Sequence, residues 1–129
     1  MAKIVFCEDE VRIQKLIRTI LRTTSHEVFI ASDGVEGFEV IQREHPNLIF
    51  TDISMPHWDG FQLASAVKER PDLAHIPIVF LTAFAQRAEV DEGYKHGAVS
   101  YLIKPFSPAE LRDKVEEFIT TYSMPDGPA

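Results

Sequence analysis

The sequence predicts an α/β domain in which a parallel sheet carries helices on both faces. Two observations lead there. Apolar, strand-like runs alternate with amphipathic helical stretches five times along the chain, the pattern of repeated βαβ units. The runs at 3–7, 47–52 and 76–81 are almost continuously apolar, as expected of strands covered on both sides. The length of 129 residues suits one domain, which at this size buries about two-thirds of the surface its unfolded chain exposes.

The elements can be justified in order. Strands are expected at 3–7, 26–31, 47–52, 76–81 and 98–103. In the first helix Ile13, Leu16, Ile17, Ile20 and Leu21 recur at helical spacing. The second opens at Asp33-Gly34-Val35-Glu36, faces inward with Val35, Phe38 and Ile41, and stops before His45-Pro46. The third opens at Asp59-Gly60, packs through Leu63, Ala66 and Val67, and ends by Pro71. The fourth, at 85–96, has a thin apolar stripe and contains Gly93, which costs a helix about 1 kcal/mol relative to alanine. It is expected to be the loosest element. The fifth starts at Ser107-Pro108-Ala109-Glu110, a capping box with proline at the first helical position, and continues through Leu111, Val115, Phe118, Ile119 and Tyr122. Residues 1–122 therefore read as the folded domain, and 123–129, with two prolines and a glycine, as a flexible tail or linker stub.

Composition narrows the function classes. Hydrophobic residues at 45% and charged residues at 26% are ordinary for a globular domain and argue against disorder. The longest mainly apolar run, 76–85, falls well short of the ~20 residues a bilayer span needs. The chain opens Met1-Ala2-Lys3 and enters a strand at once, without the pattern of a signal peptide. The single cysteine, Cys7, excludes an internal disulfide, fits a reducing compartment, and reads as core packing. A cytoplasmic protein is expected. Thirteen basic against twenty acidic residues give a net charge of −7, which disfavours direct binding to nucleic acid or to an anionic membrane. The five histidines (26, 45, 57, 75 and 96) show no zinc-ligand spacing.

In such a sheet, ligands bind beyond the carboxyl ends of the strands. The first strand ends in Glu8-Asp9-Glu10, the third in Asp52, the fourth in Thr82 and the fifth in Lys104-Pro105. Several carboxylates, a hydroxyl and an ammonium thus share one edge. Crowded carboxylates repel one another and raise one another's pKa, and a hard divalent cation such as Mg2+ relieves that repulsion. With a cation bound, Asp52 is placed to act as a nucleophile toward a phosphoryl donor. Lys104 and the Thr82 hydroxyl would share the charge on the phosphoryl oxygens. The plainer alternatives are a capping role for Glu8-Asp9-Glu10, a turn role for Asp52 and a capping role for Thr82.

Five segments carry a family resemblance over essentially the whole chain: Ile4-Val5-Phe6-Cys7-Glu8-Asp9-Glu10, Thr51-Asp52-Ile53-Ser54-Met55-Pro56, Asp59-Gly60, Phe80-Leu81-Thr82-Ala83 and Tyr101-Leu102-Ile103-Lys104-Pro105-Phe106. In these the chain resembles the receiver domain of two-component response regulators, single-domain chemotaxis regulators among them. The resemblance implies a flavodoxin-like (βα)5 doubly wound parallel sheet with strand order 2-1-3-4-5. It implies a signalling switch rather than an enzyme acting on other substrates. Asp52 would be the phosphoacceptor, served by a histidine kinase or a histidine phosphotransfer protein. Asp9 and Asp52 would ligate Mg2+, with Glu8 acting mainly through water and the Ser54 carbonyl as a further ligand. Lys104 matches the phosphate-pairing lysine, followed by a cis bond to Pro105. Thr82 and Tyr101 match the switch pair, whose movement repacks the face of the fourth helix, fifth strand and fifth helix where a downstream effector would dock.

Two departures stand out. Glu8 occupies a position where aspartate is commoner, and Val99-Ser100 stand where dimerising transcription-factor receivers carry an acidic pair. Ser54 and Phe84, two residues beyond Asp52 and Thr82, are expected to tune access of water to a phosphoaspartate. His57 and Trp58 are candidates for a partner contact. Three other readings fit less well. A haloacid-dehalogenase-type phosphatase would want an aspartate where Ser54 stands. A flavodoxin-like nucleotide binder would follow its first strand with a Gly/Ser/Thr-rich cradle rather than three carboxylates. A receiver-like scaffold that never takes phosphate would not need Asp52, Thr82 and Lys104 together.

Overall fold

The computed structural model describes residues 2–83 and 87–122, with backbone only for 87–89 and 122. Strands β1 (Lys3–Cys7), β2 (Glu27–Ala31), β3 (Leu48–Asp52), β4 (Ile78–Thr82) and β5 (Ser100–Ile103) alternate with helices α1 (Val11–Leu21), α2 (Gly34–Glu44), α3 (Gly60–Lys68), α4 (Arg87–Lys95) and α5 (Pro108–Tyr122). All strand pairs are parallel, in the order β2-β1-β3-β4-β5. The expected flavodoxin-like architecture is therefore present.

Strand alternation divides the core in two. Ile4, Phe6, Phe50 and Leu81 face α1 and α5, meeting Ile17, Ile20, Leu21, Leu111 and Val115. Val5, Cys7, Ile49 and Phe80 face the other way, against Ile41, Leu63, Ala64 and Val67 of α2 and α3. Phe6 and Phe50 stack at 4.7 Å between ring centroids on neighbouring strands. Each fully buried side chain of this size contributes roughly 1.5–3 kcal/mol, so the register of the central strands is firmly set. Because β1 lies between β2 and β3, the chain reverses direction across the sheet beside β1. A crevice opens at the carboxyl ends of β1 and β3, where such sheets bind ligands.

Several expectations shift by small amounts. The expected strand at 76–81 forms at Ile78–Thr82, and that at 98–103 forms at Ser100–Ile103. Val35 is 42% exposed and Ala66 is only half-buried, whereas Gly34, Gly37 and Val40 of α2 and Ala64 of α3 are buried. The inward face of α2 is built partly from glycines, which a hydrophobicity pattern does not register. Helix starts match their signals. The Asp33 carboxylate accepts from the Glu36 N–H, Asp59 forms a reciprocal capping box with Gln62, and Ser107 forms one with Glu110. Phe84 and the expected tail at 123–129 lie outside the described residues.

Candidate functional site

The site gathers at the β1, β3, β4 and β5 carboxyl ends. Glu8 extends β1 by donating its N–H to the Ala31 carbonyl at 2.9 Å, and its side chain is fully buried. Its Oε2 accepts from the Glu10 N–H at 3.0 Å, while Gln14 of α1 donates to the Glu8 carbonyl at 2.6 Å. The acidic loop is thereby tied to the first turn of α1. Glu10 is the N-cap of α1 yet its own side chain makes no capping bond. Asp9 and Glu10 are exposed.

Asp52 ends β3 and is 4% exposed. Lys104 follows β5, and its N–H donates to the Thr82 carbonyl at 2.7 Å, extending the β4–β5 ladder. The Lys104-Pro105 peptide is cis, as the resemblance implied. The Lys104 ammonium reaches across the crevice, 2.7 Å from Asp52 Oδ1, 2.9 Å from Glu8 Oε1 and 3.8 Å from Glu10 Oε1. Asp9, Asp52, Ser54, Thr82 and Lys104 all line a cleft of about 430 Å³. Thr82 is buried at the end of β4, and Ser54 is exposed on the cleft wall.

One ammonium faces several carboxylates, and the electrostatics follow from that imbalance. Asp52 has its pKa pushed up to about 8, first by burial and then by the Glu8 carboxylate beside it, with Lys104 opposing. For Lys104, burial favours the neutral amine. Asp52 and Glu8 outweigh it and hold the pKa above the ordinary lysine value. Oxygens of Glu8, Asp9 and Asp52 lie within 4.8 Å of one another. Glu8 Oε1 meets Lys104 as an ion pair without an aligned hydrogen bond, and no other donor among the described residues satisfies it. A buried, under-satisfied carboxylate oxygen in an all-oxygen cluster suits a hard divalent cation.

Tyr101 is held apart from this cleft. It pairs in register with Phe80 on β4, and its hydroxyl donates to the Val90 carbonyl of α4 at 2.8 Å. The structure thus brings Glu8, Asp9, Asp52, Ser54, Thr82 and Lys104 together, and leaves Tyr101 beside α4.

Comparison with known proteins decides the family. The family model described as response regulator receiver domain matches residues 4–116. The chain belongs to the response regulator receiver domain family. Among curated relatives, a probable transcriptional regulator of Cyanophora paradoxa, ycf27, is 36% identical over 95% of this chain and 50% of its own length. The transcriptional regulatory protein RprY of Bacteroides fragilis is 37% identical over 91% of this chain and 49% of its own. The chain spans about half the length of these relatives. Among solved structures, the chemotaxis protein CheY4 of Vibrio cholerae superposes with a TM-score of 0.87 at 30% identity, covering 92% of this chain and 98% of that one. The receiver domain of sensor histidine kinase PA1611 from Pseudomonas aeruginosa, described with magnesium coordinated in its active-site cleft, has a TM-score of 0.85 at 27% identity, covering 92% and 98%.

Within this receiver domain, sequence reasoning missed three supporting residues. Gln14 pins the acidic loop from α1. Thr51 donates its hydroxyl to the Asp52 carbonyl at 3.0 Å. The third, Gly60, was expected at a helix start and within one of the segments of the resemblance, without a contact of its own. Its N–H donates to the Ile53 carbonyl at 2.7 Å, and a methyl group there would overlap the Asp52 carbonyl and lie 3.0 Å from the Ile53 α-carbon. The signal for Gly60 was its place in Asp59-Gly60, and a short distance after Asp52 it carries this second meaning. Gly60→Ala is expected to push the start of α3 off the end of β3 and cost about 1–3 kcal/mol. Urea denaturation measures this, and a change under about 0.5 kcal/mol would show that the loop yields freely. None of the described helices is long and apolar enough to cross a membrane.

Proposed function

We propose that this receiver domain, taken as residues 1–122, is a phosphoacceptor switch with Asp52 as the accepting residue. The donor is the phosphohistidine of a histidine kinase or a histidine phosphotransfer protein in the cytoplasm. An Asp52 oxygen attacks phosphorus, the P–N bond to the donor imidazole breaks, and the phosphoryl group ends on the carboxylate. The observation that carries this reading is the position of Asp52: buried at the end of β3, against Lys104, in a cleft open to a donor. An isolated structural aspartate would have no reason to share a lysine with Glu8.

Glu8, Asp9, Asp52 and the Ser54 carbonyl are the residues that would hold Mg2+. Bound there, the ion would supply positive charge to offset the crowded carboxylates and the phosphoryl oxygens. Lys104 pairs with one phosphoryl oxygen. The Thr82 hydroxyl, at the adjacent strand end, donates to another, and its movement is passed to Tyr101 through β4. The face of α4, β5 and α5 then changes for a downstream effector. The only reactions the domain catalyses are gain and loss of its own phosphoryl group.

Borohydride cleaves an acyl phosphate reductively and leaves homoserine in place of aspartate. After incubation with acetyl phosphate and Mg2+, peptide mapping is expected to find homoserine at position 52 alone. Homoserine at Asp9 instead, or at no position, would refute the assignment.

A further inference from the structure

Gly93 sits buried in the last turn of α4, and glycine weakens a helix relative to alanine. The structure gives it a positive reason to be there. A methyl group on Gly93 would overlap the Tyr101 hydroxyl and stand 2.8 Å from two carbons of the Phe80 ring. The same hydroxyl donates to the Val90 carbonyl, one turn earlier in α4, at 2.8 Å. The Tyr101 ring lies edge-on to Phe80 at 5.7 Å and to Tyr94 of α4 at 5.4 Å. The hydroxyl therefore occupies a notch in α4 that exists because residue 93 has no side chain. At its C-terminal end the helix has a second attachment. His96 Nδ1 lies 2.6 Å from the Ser65 hydroxyl of α3, and the imidazole stacks on Phe61 at 5.2 Å.

We infer that Gly93 is a positioning residue of the switch: it opens the notch that seats Tyr101 against α4 and couples that ring to the helix. The open seat at Gly93 and the hydrogen bond to Val90 together tie the tyrosine to the helix. The consequence for signalling rests on the phosphoacceptor reading, whereas the seating itself does not.

A double-mutant cycle tests it: wild type, Gly93→Ala, Tyr101→Phe and the double variant, all unphosphorylated. Ordinary helix propensity predicts that Gly93→Ala raises the melting temperature. The notch predicts a fall of about 5 °C and movement of the Tyr101 ring resonances, in 13C–1H spectra, toward those of an exposed tyrosine. On the Tyr101→Phe background, where the hydroxyl is gone, the fall is expected to shrink to less than half. Equal falls on both backgrounds, a rise in melting temperature, or unmoved ring resonances would overturn the proposal. If Gly93→Ala does not fold, recovery of folding in the double variant supports the notch and failure of both overturns it. Absence of phosphoryl uptake by the wild type would defeat the phosphoacceptor reading and leave this cycle's result standing.

Discussion

Lys104→Met is expected to cost the metal-free protein roughly 3–5 kcal/mol at pH 8, the loss typical of removing one partner from a buried ion pair. Lys104 is the cation that touches both the Glu8 and Asp52 carboxylates, and both are buried. Without it two like charges face each other in a site of low polarity, and the folded state takes up a proton to relieve them. With the Asp52 pKa at about 8 in wild type and pushed higher without Lys104, the loss should be larger at pH 9 than at pH 6, and Mg2+ should recover part of it by binding the folded state. Urea denaturation at the two pH values, with Mg2+ or with a chelator, measures all three effects. A loss independent of both pH and Mg2+ would mean that Lys104 acts by packing its stem rather than by its charge.

Asp52→Asn should move stability the opposite way. The Asp52 pKa is pushed up to about 8 in the fold from an ordinary 3.8, by burial and then by Glu8. A carboxyl raised in the folded state contributes stability that is fully present below its unfolded pKa and lost as pH rises through the folded one. Metal-free wild type should thus lose stability from about pH 4 to pH 8 through this group, and Asp52→Asn should lack that slope. At pH 9 without Mg2+ the variant is expected to be more stable by about 2 kcal/mol, a rise in melting temperature of roughly 5–10 °C. Lys104 keeps Glu8 as a partner in the variant, so no buried ammonium is left alone. With saturating Mg2+ the order should narrow or reverse, because Asp52→Asn removes one of the carboxylates that would hold the ion. A variant less stable than wild type under chelation would refute the repulsive cluster.

Much of this architecture could be read from the residues because the signals were local. The apolar runs located every strand to within two residues, since a strand covered on both faces admits little polar chemistry. The polar residues ending those strands marked Asp52, Thr82 and Lys104, because a parallel sheet delivers all its carboxyl ends to one edge. What the sequence hid depends on contacts between distant segments. Val35 fits a helical stripe, but the start of α2 presents Gly34 to Trp58 and leaves Val35 outward. Gly93 looked like a defect in a weak helix, and only the Tyr101 hydroxyl from β5 explains it. Gln14 is an unremarked polar residue in α1 until the acidic loop folds back onto it.

The measurement that bears most directly on the central claim is intact mass after incubation with acetyl phosphate, wild type beside Asp52→Ala, with Mg2+ or with a chelator. The account predicts a gain of one phosphoryl group in wild type with Mg2+, and no gain in the other three samples. An equal gain in Asp52→Ala, or no gain in wild type under conditions where a control receiver domain reacts, would contradict it.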